Sequence, residues 1–160
     1  MTTNIQALAE IESDLHRLAC LYARAMDRNK PELLEDVVTQ DIVLKGPGFI
    51  MNNFAEVSAI PASLQKMYVA TQHLVHSQNI TVHADEAVGE TCSTATHILQ
   101  PDSAEQSDSP NNERQALVWH IRYQDKYRRE NNHWRICERE LIVDWTETRL
   151  VSLMNDDEDA

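Results

Sequence analysis

Apolar residues at Ile5, Leu8, Ile11, Leu15, Leu18, Tyr22 and Ala25 recur at helical spacing, with Glu10, Glu12, Asp14 and Arg17 on other faces. The pattern predicts an amphipathic helix over 4–28. Asn4 is placed to cap it, and it should stop near Asp27-Arg28-Asn29, since Pro31 restricts the residue before it. Lys30 to Val38 reads as a short second helix with Pro31 in its first turn. Asp41 to Lys45 is short and β-rich, Gly46-Pro47-Gly48 turns the chain, and Phe49-Ile50-Met51 reads as a small returning strand. Helical spacing returns from Phe54 to Ala70, the main helix running from Pro61 to Val69.

Beyond Thr71 the pattern becomes that of strands. They are expected over 72–83, 88–99, 114–129 and 133–146, with turns at Asp85-Glu86 and 130–132 and with Gly89 at a bulge. Pro101 to Asn112, rich in Asp, Ser, Pro and Asn, reads as a long polar loop. Helices followed by consecutive antiparallel strands indicate an α+β fold, not the alternation of a parallel sheet. One domain is expected over 1–150, with 151–160 an acidic, disordered tail. A long curved sheet folded around helices leaves an internal cavity suited to a ligand. Alternation along the last strand puts Arg135, Cys137, Arg139, Leu141, Val143 and Trp145 on one face.

Charge and composition narrow the partners. The net charge of −12 opposes nucleic-acid binding, which needs a basic face. No run of ~18 apolar residues is present to span a membrane. Cys20, Cys92 and Cys137 are odd in number and follow no CxxC spacing, which argues against a disulfide framework and fits a reducing compartment. The N-terminus lacks a signal-peptide pattern, so a cytoplasmic protein is expected. Seven histidines invite a metal, but no HExxH or HxxxH spacing occurs, and His73 and His76 would point to opposite faces of a strand. No metal and no cofactor is therefore expected.

The chemistry centres on two residues. Asp27 ends the first helix and His73 heads the first long strand. An imidazole titrating near ~6.5 can take a proton at neutral pH, and a carboxylate on its other nitrogen fixes the tautomer and stabilises the imidazolium. The alternative for Asp27 is a helix-end acid facing water. A helical wheel favours that alternative, setting Asp27 roughly 120° from the Tyr22–Met26 stripe unless the helix end bends inward.

The ordered motifs resemble the SnoaL-like domains of the nuclear-transport-factor-2-like superfamily, the cone-shaped α+β barrels. The matching stretches are Leu18-x-x-x-Tyr22-Ala23-Arg24-Ala25-Met26-Asp27, Thr71-x-His73, Tyr123-x-Asp125-x-Tyr127-Arg128-Arg129, and Trp134-Arg135-Ile136 through Arg139 to Asp144-Trp145. Within the superfamily the chain resembles the branch of bile-acid dehydratases, scytalone dehydratase and hexachlorocyclohexane dehydrochlorinase. The resemblance implies that Asp27 and His73 form the base, with Tyr22 and Arg139 as further catalytic residues. His97 matches a second strand histidine of scytalone dehydratase. Ser77 stands where the dehydrochlorinase has an asparagine, and Trp145 shares the expected face of Arg139. His97, Ser77 and Trp145 are the substrate-binding candidates.

The resulting expectation is a cofactor-independent lyase, dehydratase-like, acting on a mainly apolar ring compound such as a steroid or polyketide. An isomerase or cyclase could use the same pair. A non-catalytic ligand-binding protein, like the small subunit of a ring-hydroxylating oxygenase, is the alternative from another class. The resemblance also implies a homo-oligomer, trimer or dimer.

Overall fold

A computed structural model describes residues 5–101 and 112–154. The Asn4 cap, the polar loop apart from its two ends, and the last residues of the acidic tail lie outside the described residues. Helix α1 (Ile5–Asp27) is followed by a 3-10 turn (Pro31–Asp36), strands β1 (Val38–Gly46) and β2 (Phe49–Met51), and helices α2 (Phe54–Ser58) and α3 (Ile60–Met67). Four long strands complete the chain: β3 (Tyr68–His83), β4 (Glu86–Leu99), β5 (Glu113–Glu130) and β6 (His133–Ser152). They form one curved six-stranded sheet in the order β2-β1-β6-β5-β4-β3. All neighbours are antiparallel except β1 and β6, which run parallel from the Val38–Ile136 pair. This is the expected α+β cone. Among the described residues, no helix is long and apolar enough to cross a membrane.

The sheet curves because one helix must be wrapped. The stripe of α1, Leu15, Leu18, Tyr22, Ala25 and Met26, is buried in one cluster with Val37, Ile42, Tyr127, Trp134 and Ile136. Each fully buried side chain of this size contributes about 1.5–3 kcal/mol. Asn131 and Asn132 both take positive φ, 51° and 65°, as the tight turn between β5 and β6 requires.

Several boundaries differ from the sequence expectation. The second helix is a 3-10 turn, because Val37 and Val38 are buried at the entry to β1 instead of extending the helix. Helix α3 ends at Met67, and Tyr68 is already extended and paired with Leu99. β6 runs to Ser152, beyond the expected end at Thr146 and just past the expected domain boundary, because β5 pairs with it down to Glu113.

The bulges also fall elsewhere. Gly89 sits in regular register between Ile80 and Asp125. A glycine is needed there for space: a Cβ would lie 2.9 Å from the Asn79 carbonyl oxygen and crowd Ile80 and Tyr127. The irregularities lie between Val38 and Val43 in β1, between Tyr68 and Ala70 and between Val75 and Gln78 in β3, and at two places in the β5–β6 ladder. In β6, Tyr127 opposes Ile136 while Lys126 opposes Glu138, so Cys137 is the extra residue. Ile121 opposes Val143 while His120 opposes Trp145, so Asp144 is a second one. Each extra residue reverses which face the following side chains occupy.

Gly89→Ala is expected to cost about 1–3 kcal/mol, because the contact is with rigid backbone. A lowered urea midpoint with an unchanged m-value is the measurement that checks it.

Candidate functional site

Asp27 is the last residue of α1, and edge strand β3 lies alongside the helix there. Its Oδ1 accepts a hydrogen bond from Thr71 Oγ1 at 3.0 Å and lies 2.6 Å from His73 Nδ1. Its Oδ2 accepts the backbone N–H of His73 at 2.8 Å. The edge strand comes to the face that Asp27 already occupies, so the water-facing alternative does not hold. Burial alone would raise the Asp27 carboxyl, but the hydrogen bonds and charge of His73, together with Thr71, hold it below the usual carboxylate range. The ionised carboxylate only accepts, so Nδ1 of a neutral His73 carries the proton and Nε2 presents its lone pair.

His73 stands between two spaces. On one side is an internal cavity of about 320 Å³, and on the other an open groove bordered by Arg24, Arg28 and Lys30. Asp27 lines the groove and His73 lines both. With His73, the rings of Tyr22 and Tyr123 and His97 on the next strand line the cavity, as do Glu56 and Ser63. Leu44, Met51, Ile60, Leu64, Met67 and Leu141 make much of the remaining wall apolar.

His97 is only 4% exposed. Its ring lies 4.6 Å from Tyr68 and 5.3 Å from Trp119, and meets His73 edge-on at 5.9 Å between centroids. Its Nδ1 is buried without a hydrogen-bond partner. Burial, and then the neighbouring charge of His73, push its pKa down to about 4, against smaller upward pulls from the Leu117 backbone and Asp27. His97 is thus neutral at physiological pH and a weaker base than an unperturbed imidazole.

Arg139 departs from its expected role. It is 1% exposed and does not line the large cavity. Its Nε and one terminal nitrogen each lie 2.7 Å from an oxygen of Asp125, directly opposite on β5. Tyr127 also donates to Asp125, at 3.0 Å. The guanidinium rests 4.3 Å from the Tyr22 ring and 4.1 Å from the Tyr123 ring. Its fork is committed to Asp125, so it supports the two tyrosines from behind and does not face the cavity. Burial pushes Tyr22 up, with the positive charge of Arg139 opposing.

Two substrate-binding candidates lie elsewhere. Ser77 is exposed in the irregular stretch of β3. Trp145 is 61% exposed and stacks on His120, ring centroids 4.7 Å apart, because the extra residue Asp144 turns it away from the Leu141–Val143 face. Asp144 itself accepts two bonds from Arg122 at 2.8 Å. Conversely, Tyr68, Trp119 and Tyr123 line the cavity and were not singled out as site residues. Period-two reading of β5 could have found Trp119 and Tyr123 on one face. Tyr68 was hidden by its placement in a helix. Among the described residues, no group of three or more His, Cys, Asp or Glu could hold a metal ion.

Residues 7–140 match the SnoaL-like domain. Among solved structures the chain is similar to a hexachlorocyclohexane dehydrochlorinase (LinA) Type2, at 14% identity and a TM-score of 0.77, covering 96% of this chain and 99% of that one. It is also similar to a candidate scytalone dehydratase from Novosphingobium aromaticivorans, at 19% identity and a TM-score of 0.72, covering 96% of each chain. A nuclear transport factor 2-like superfamily protein from Salmonella enterica matches at 12% identity and a TM-score of 0.71, covering 86% of this chain and 93% of that one. At these identities the likeness is one of fold. No curated protein matches the sequence significantly.

Two outcomes are expected. Asp125→Ala strands the Arg139 charge in the interior and should cost about 3–5 kcal/mol in denaturant unfolding. Replacing both, as Asp125→Leu with Arg139→Met, should recover most of that loss. His97 titrates near 6.5 when unfolded and at about 4 when folded. Between those values the unfolded chain binds the extra proton, so stability falls as pH drops through that window, by about 1.4 kcal/mol per pH unit at most. Urea unfolding at a series of pH values checks this, and His97→Phe should flatten the slope.

Proposed function

The chain belongs to the SnoaL-like domain family, and from that premise we propose that it is a cofactor-independent lyase of the dehydratase type, acting on a mainly apolar ring compound such as a steroid or polyketide. The observation that carries the reading is the 2.6 Å contact of Asp27 with His73 Nδ1 at the wall of a half-open, mostly apolar cavity. Family members with lyase-type names among the structural neighbours support it.

In this reading His73 Nε2 removes a proton from a carbon next to an activating group. The C–H electron pair becomes the new double bond, and the neighbouring hydroxyl leaves as water by taking the proton back from the His73 imidazolium, which restores the base. Asp27 stabilises the imidazolium that forms and keeps the ring oriented. Tyr22, a neutral phenol on the cavity wall, donates a hydrogen bond to the oxygen that gains charge. Neutral His97 supplies a hydrogen-bonding edge across from the base and stays out of the proton transfer. Arg139 acts through Tyr22, as a positioning residue.

His73→Ala and Asp27→Asn are each expected to lower kcat about 10²–10⁴-fold on a turned-over substrate, with the product one water lighter by mass spectrometry. Turnover of both variants within a few-fold of wild type would sink the reading. A product of unchanged mass would reassign the same base to an isomerase.

A further inference from the structure

The charges around the cavity say what it admits. Among the described residues, no lysine or arginine lines it, and its one carboxylate, Glu56, is exposed and accepts the Asn52 N–H at 2.7 Å. Nearby, Arg139 is held by both oxygens of Asp125, and Asp27 is held by His73 and Thr71. Neither buried charge is free to meet a ligand charge. We propose that the cavity selects uncharged ligands carrying a hydrogen-bond-accepting oxygen and rejects organic anions and organic cations of the same shape. This rests on the reading of the cavity as the substrate site.

Anions fail for two reasons. A carboxylate or phosphate taken into a mostly apolar wall loses its hydration and, among the described residues, meets no lysine or arginine in return, while any charge on His73 is already paired with Asp27. The chain's net charge of −12 and Glu56 also repel it on approach. Cations are the harder case, because that same negative field attracts them and aromatic faces could receive them. The cavity gives them little in return, however. Arg139 already takes one face of Tyr22 and of Tyr123, and among the described residues the only carboxylate on the wall is the exposed Glu56. What remains for a ligand is neutral polarity: the phenols of Tyr22 and Tyr123, which burial keeps protonated, and the uncharged ring of His97. A carbonyl or hydroxyl oxygen matches these groups and an ionic group does not.

The test uses three probes of one shape: 2-acetylnaphthalene, naphthalene-2-carboxylate and 2-naphthylmethylammonium. Binding to the full chain is measured by calorimetry near pH 7.5. The ketone is expected to bind about ten-fold or more tightly than either ion. An ion that binds as tightly as the ketone overturns the proposal, and so does a ketone that does not bind. Met67→Lys places a cation at a half-exposed position of the wall. It should raise the affinity for the carboxylate several-fold and leave that for the ketone nearly unchanged. No rise would show that charge does not govern admission. The probes carry no leaving group, so this result is independent of turnover. Loss of the lyase reading through His73→Ala leaves the selectivity standing, and failed selectivity leaves the base standing.

Discussion

The Asp27 carboxylate is where the helix and the sheet are joined. A sheet curled around one helix leaves an edge strand facing that helix, and the edge presents polar backbone that needs partners. Asp27 answers this at the end of α1, taking the His73 N–H, the Thr71 hydroxyl and the His73 ring. The bond that ties down the edge is also the bond that orients the imidazole. Closure of the cone and orientation of the imidazole are one arrangement, so His73 is held by the fold and not by a loop.

A second buried pair works deeper in. Arg139 and Asp125 face each other across β5 and β6, with Tyr22 and Tyr123 on the guanidinium. Such pairs return little net stability, since desolvation offsets attraction. Their value here is geometric, because they fix the planes of two rings that form part of the cavity wall. Much of the remaining wall is supplied by apolar side chains of β1 and of α3 and β2, the last two carrying few buried residues of their own. The cavity thus has one rigid polar end, built on long strands, and one softer apolar end.

Much of this was legible in the sequence. The 3.6-residue spacing from Ile5 to Ala25 gave α1 to within a residue at each end, since a long periodic stripe has few competing readings. The family resemblance carried by Asp27 and Thr71-x-His73 implied the two residues that meet, where the helical wheel alone set Asp27 apart. Less was legible where a local rule yields to pairing. Tyr68 left its helix for Leu99, and Val38 left its own for a parallel strand. The bulges in β6 have no signature, because neither Cys137 nor Asp144 is a residue type that marks one. That is why simple alternation grouped Trp145 with Arg139, although the structure separates them. The commitment of Arg139 to Asp125 was hidden for a different reason: cross-strand register follows from turns and bulges, not from either residue.

Those two extra residues bear on how this chain is compared with others. Between Cys137 and Asp144 the inward side chains are Arg139, Leu141 and Val143, and outside that window the parity is reversed. An ungapped alignment to a relative lacking either extra residue would pair an inward side chain with an outward one, and it would do so without lowering the apparent similarity. For β6, equivalence between family members must therefore be assigned in space. Conservation counted column by column would blur the positions that build the cavity wall.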